Sequence, residues 1–275
     1  MEERRSRPRV GEERWRTALT AIEPNKILVR GYALDEMMGR LTFGEAIYLL
    51  LAGELPTPGI GMLVEAMLVS FIDHGPTPPS TLAARNVATT GATLRGCVAA
   101  GVLGFGKFFG GDIQSTMQML DQGLALARAG QPLKDAAAGL LKEYHDRGEL
   151  PPGFGHRYHT RDPRAARLFQ MALELELDGE HVAFMRAMEM GLHQSAQVEE
   201  RQAPMNIDGA IAAVCGDLGI NADAADGLFM ISRIPGIVAH AIEEKERHQP
   251  MRRIDPDAFT YDGPAQRRMP ETRNR

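Results

Sequence analysis

The stretch Gly153-Phe154-Gly155-His156-Arg157-Tyr158-His159-Thr160-Arg161-Asp162-Pro163-Arg164 joins a glycine-rich turn to the start of a helix. Together with Pro151 and Pro152, the two glycines make a stiff loop, poor in side chains, where a bulky ligand can approach the backbone. Asp162 reads as an N-cap and Pro163 as the first helical residue, where its missing amide costs no hydrogen bond. Arg164 then falls in the first turn, beside free backbone amides, with a planar guanidinium that matches a carboxylate. A histidine and an arginine fixed this close suit acid–base chemistry on an anionic substrate.

Outward from this stretch, apolar residues recur with helical spacing. Leu63, Ala66, Met67 and Ser70 follow i, i+3, i+4, i+7, as do Ile211, Val214, Cys215 and Leu218, and again Ile234, Ile237, Val238, Ala241 and Ile242. Thr42 and Glu45 form a capping-box pattern ahead of Ala46 to Leu51. Few runs alternate apolar and polar residues, which confines strands to short pieces around Asn25 to Arg30. The 29 glycines and 17 prolines cut the helices short, with breaks expected at Gly53–Gly61, Gly75–Pro79, Gly104–Gly111 and Pro151–Gly155. The pattern predicts an all-α protein without internal repeats or low-complexity linkers. After His248 the periodicity fades, and Arg252 to Pro256 reads as an irregular segment lying on the surface or on a neighbouring subunit.

The 275 residues suffice for one large domain, or a large and a small one. Hydrophobic residues at 44% and charged residues at 24% are ordinary for a globular chain. No apolar run reaches the roughly 18 residues that a bilayer span needs, so no membrane partner is expected. The N-terminus has basic residues but no following apolar segment, and the expected location is the cytoplasm. A net charge of −5 provides no overall basic field for nucleic acid. Arg4, Arg5, Arg7 and Arg9, and Arg267, Arg268, Arg273 and Arg275, are local exceptions expected in solvated tails. Cys97 and Cys215 lie among small and apolar neighbours, as buried thiols rather than a disulfide or metal pair. No acidic or cysteine partner completes a ligand set around His156 and His159, and no metal is expected. No G-x-x-x-x-G-K-[ST] is present to hold ATP phosphates.

The segment from Gly153 to Arg164 resembles the signature of the citrate synthase superfamily, a G-x-G-H run followed by D-P-R. Four further segments fit in order: Arg30-Gly31-Tyr32 with the helix of Phe43 to Pro56, Asp73-His74-Gly75-Pro76, Asn206-Ile207-Asp208-Gly209, and Phe229 to Gly236. The resemblance covers roughly residues 27–256. It implies that His156 hydrogen-bonds or deprotonates a tertiary alcohol oxygen and that Asp208 moves a proton at the acetyl methyl carbon. It also implies that Arg164 and Arg233 bind carboxylates. From its position alone, Asp208 equally fits an N-cap before the Ile211 stripe. His74 equally fits a histidine closing a helix end. Gly153, Phe154 and Gly155 are assigned to binding the coenzyme A thioester, and Arg253, with Arg252 as the alternative, to the substrate. The implied architecture has a large domain of residues 1–109 and 221–275 and a small one of 110–220, assembled as a homodimer or homotetramer.

Synthases of this family usually carry a histidine in an H-G-G segment. Here the segment reads Phe109-Gly110-Gly111. A phenyl ring neither donates to an enolate oxygen nor passes a proton to water. Phe71 stands where many synthases have another histidine, and Asp255, not arginine, precedes Pro256. Phe109, with the Asp73 to Pro76 segment, is similar to the citryl-CoA lyase branch, which includes the C-terminal module of ATP-citrate lyases. The expected reaction is cleavage of citryl-CoA to acetyl-CoA and oxaloacetate. The alternatives are a condensing citrate or methylcitrate synthase and a non-catalytic acyl-CoA-binding paralogue.

Overall fold

In the computed structural model, which describes residues 16–106, 109–110, 112–157, 159–194, 203–253 and 255–269, the capping box at Thr42 forms. Glu45 N donates to Thr42 Oγ1 at 3.2 Å and Thr42 N to Glu45 Oε2 at 2.7 Å. It opens α2 (Phe43–Ala52), which follows a three-stranded antiparallel meander of β1 (Thr20–Glu23), β2 (Lys26–Val29) and β3 (Tyr32–Ala33) and the single turn α1 (Leu34–Met37). The strand expected near Asn25 to Arg30 is β2; Asn25 and Arg30 themselves turn the chain with positive φ.

The rest is helical: α3 (Pro58–Ser70), α4 (Pro79–Ala88), α5 (Leu94–Leu103), α6 (Asp112–Arg128), α7 (Leu133–Asp146), α8 (Pro163–Glu174), α9 (Glu180–Gln194), α10 (Ile207–Asp217) and α11 (Ala222–Arg247), with a 3-10 turn at Pro256–Ala258. The break expected at Gly53–Gly61 is shorter than expected and ends at Thr57. Thr57 caps α3 with Pro58 at its first position, so Gly59 and Gly61 lie inside the helix. Gly61 is required there because a Cβ would stand 2.7 Å from Glu45 Cγ. Pro235 lies within α11. That helix has the length and composition of a membrane span, yet 44% of its apolar window is buried within the protein and it carries the buried Arg233.

The chain divides into two compact units, the described parts of residues 1–75 with 105–236, and of 76–104 with 237–275. The expected division is 1–109 with 221–275 and 110–220; α8 packs on α3, so the first unit holds residues of both expected domains. The first unit holds a continuous core including Leu63, Met67, Leu120, Phe184, Ile211 and Phe229. Cys215 belongs to it, and burial pushes its thiol up to about 12. In the second unit Ala88, Cys97 and Ala241 form a small buried cluster. Arg85 and Glu244 are paired there at 2.7 Å, both buried.

Candidate active site

Residues Gly153 to Gly155 lie antiparallel to Pro204 to Asn206. Gly155 N donates to Pro204 O at 2.8 Å, Asn206 N to Gly153 O at 3.0 Å, and Asn206 Nδ2 to Gly155 O at 3.1 Å. Gly153 adopts φ +82°, and a Cβ on it would lie 2.8 Å from Gly209 Cα. Only glycine combines this φ with such an approach. The loop therefore holds His156 beside the start of α10. Phe154 is buried in the core, and Gly153 O, Gly155 N and Gly155 O are engaged by the facing segment, which fixes the turn ahead of His156; its contact with a thioester stays a proposal.

Asn206, not Asp208, caps α10, its Oδ1 accepting from Gly209 N at 3.0 Å. That frees Asp208, in the first turn, for other work. Its carboxyl is pushed up to about 7, first by burial and then by the charge of Asp112, against the pull of Arg164 and Arg233. Asp112, at the start of α6, immediately follows the Phe109-Gly110-Gly111 segment; burial raises it as well.

Arg164 is held by Asp162, the N-cap of α8, with Nε on Oδ1 at 3.0 Å and Nη2 on Oδ2 at 2.8 Å. Arg233 is 1% exposed. Its Nε donates to Phe71 O at 2.7 Å, and its guanidinium carbon lies 5.1 Å from the Phe229 ring centroid. Among the described residues, its buried Nη1 has no hydrogen-bond partner. Arg233 is thus anchored through Nε with Nη1 left for an anion, whereas Arg164 is anchored through both Nε and Nη2. An orphaned donor on a buried cation is costly unless a ligand satisfies it.

His156 Nδ1 accepts from His159 N at 3.1 Å, which places the proton of the neutral ring on Nε2. The His159 ring stacks on it, centroids 4.2 Å apart. Burial, then His159 and Arg164, hold His156 below the usual histidine value, while Asp162 opposes them. His74 lies beyond Phe71, the C-cap of α3, and so does not close that helix. It too is held low, by burial and then by Arg233, Arg164 and His156, with Asp73 opposing. His74 feels the charge of Arg233, Arg164 and His156, and Asp208 that of Arg164 and Arg233, so the two arginines link the five residues. Arg253 lies in the other unit and is exposed; Arg252 is occupied by Glu244.

Phe109 packs near Phe105, centroids 6.0 Å apart, and Phe105 and Phe71 both meet Phe229, at 5.1 and 5.0 Å. The two phenylalanines that replace histidines thus belong to one aromatic run ending at Arg233. Lys107, Phe108, Gly111, Tyr158, Ile254 and the arginines at positions 4, 5, 7, 9, 273 and 275 lie outside the described residues.

Fold and site together define a helical protein in which a raised carboxyl, Asp208, feels the charge of two arginines, Arg164 and Arg233. Residues 58–254 match the citrate synthase family over its C-terminal domain, and the chain belongs to that family. The citrate synthase of Haloferax volcanii is 32% identical over 210 residues, 74% of this chain and 52% of its own. This chain spans about half the length of the curated relatives it matches. A citryl-CoA lyase structure from Hydrogenobacter thermophilus has 39% identity and a TM-score of 0.84, covering 93% of this chain and 97% of that one. The ATP citrate lyase of Methanosaeta concilii, solved with (3S)-citryl-CoA, shares the fold at 19% identity and a TM-score of 0.76, covering 94% of this chain and 43% of its own.

Proposed function

We propose that this protein is a citryl-CoA lyase, cleaving citryl-CoA to acetyl-CoA and oxaloacetate. The observation that carries this reading is Asp208, a carboxyl raised to about 7 between Arg164 and Arg233. Cleavage of the bond to C3 needs an acid to protonate the departing acetyl-CoA enolate, and a carboxyl half-protonated near neutrality supplies it. Arg164 and Arg233 bind the carboxylates of the oxaloacetate half. His156, with its proton on Nε2, hydrogen-bonds the C3 oxygen as it becomes a carbonyl. The hydroxyl proton passes from that oxygen to solvent water while Asp208 delivers its own to carbon, and Asp208 takes a proton back from water, so the cycle closes with no net proton change.

Phe109 supports cleavage over condensation with hydrolysis, because its ring has nothing with which to move a proton to water. The full-length likeness to a citryl-CoA lyase supports the same direction. The names of the curated relatives favour a second reading, a synthase condensing an acyl-CoA with oxaloacetate. With the lyase reading go a homodimer or homotetramer, a cytoplasmic setting and a substrate contact from Arg253. Incubation with citryl-CoA, and separately with acetyl-CoA plus oxaloacetate, tests the choice. Acetyl-CoA released from citryl-CoA is expected; free CoA released during condensation, without cleavage, would overturn it.

A further inference from the structure

We propose that Asp162 is a positioning residue that fixes the anion-binding edge of Arg164 and the placement of Asp208 together, through one buried carboxylate. The inference rests on the reading above, in which Arg164 and Asp208 meet the substrate. Asp162 is 1% exposed and accepts four hydrogen bonds. On Oδ1 these come from Arg164 N and Arg164 Nε, both at 3.0 Å. On Oδ2 they come from Arg164 Nη2 at 2.8 Å and Ile207 N at 3.1 Å.

A helix cap needs only the first of these. The two guanidinium bonds set the plane of Arg164, because a bidentate fork has a single orientation on a carboxylate. They use the edge at Nε and direct the edge between Nη1 and Nη2 away from the protein partner. The fourth bond satisfies an orphan amide at the start of α10, on the residue before Asp208. The carboxylate therefore cannot turn without moving both groups. Arg164 Nη1 adds only a long contact of 3.5 Å to Ser70 O, so Asp162 is the anchor of this guanidinium.

Asp162→Asn and Asp162→Ser both keep a cap acceptor, and both lose the charge; the serine also loses the reach to Arg164. Each is compared with the wild-type full chain by melting, by calorimetric citrate binding, and by ¹³C titration of the Asp208 carboxyl. Removing a neighbouring negative charge and releasing Arg164 both favour ionised Asp208, so its midpoint should fall by roughly one unit. Citrate should bind roughly tenfold more weakly, or worse in the serine variant, and the melting temperature should fall as well, because Arg164 and Ile207 N lose a buried acceptor. Unchanged citrate affinity with an unmoved Asp208 midpoint in either folded variant overturns the proposal and leaves Asp162 a cap. Wild-type protein that does not bind citrate overturns the functional reading alone; Asp162 is then judged on the titration, where an unmoved midpoint counts against it.

Discussion

Asp208 is protonated for its task at a cost to the fold. Its folded value of about 7 lies above the ordinary 3.8, so the stabilising protonated form is fully present below about 4 and is lost as pH rises through 7. Asp208→Asn should therefore melt higher than wild type at pH 8 and not at pH 4, by up to roughly 4 kcal/mol, and should lose about 10²- to 10⁴-fold in cleavage rate. The wild-type rate should fall as pH rises through about 7, which a pH–rate profile measures directly. Equal melting of the two proteins at pH 8 would refute the buried-acid account. Phe109→His restores a donor, and its expected effect is free CoA released from citryl-CoA. At this scale the setting of Arg164 is local, since its anchor Asp162 lies two residues away, whereas Arg233 is anchored by Phe71, far off in sequence. Asp112 was not legible, since only the folded approach of α6 to α10 sets it near Asp208.

Helix starts were the most legible elements. The Thr42 box and the Asp162-Pro163 entry are local chemistry, complete within a few residues of chain. The pairing of Gly153 to Gly155 with Pro204 to Asn206 joins distant segments and has no local signature, yet it sets the turn that precedes His156 beside the start of α10. Gly153→Ala puts a methyl against Gly209 at a φ that disfavours it; a loss of about 2 kcal/mol or more in unfolding free energy is expected, with activity falling further. A fully active Gly153→Ala protein would show that this contact does not hold the site. On α9, His181 lies 2.9 Å from Asp217 Oδ1 and 3.2 Å from Asp121 Oδ1, joining three helices. The Asp217 bond raises its pKa above 6.5 despite burial, with Asp121 adding to it. The charged pair stabilises the fold below pH 6.5 and is lost as pH rises through the raised value. His181→Asn should flatten that part of the stability profile, a change that denaturation at pH 6 and pH 9 would reveal.

Across the whole molecule, helical periodicity foretold the all-α fold, whereas unit boundaries depend on which helices pack together and could not be read from spacing. The second unit, with its small apolar cluster, relies on Glu244, which Arg85 and Arg252 both contact. Glu244→Gln would leave Arg85 buried without its counter-charge, and a destabilisation of about 3 kcal/mol is expected in denaturant unfolding. The two arginines at the site do not depend on that pair, and residual folded Glu244→Gln protein should still bind citrate. The central claim concerns bond cleavage with proton delivery to carbon, which a deuterium experiment reads in one step. Citryl-CoA incubated with the full chain in D₂O should give oxaloacetate and acetyl-CoA carrying one deuterium in its methyl group, with no free CoA; citrate and free CoA, without acetyl-CoA, would contradict the account.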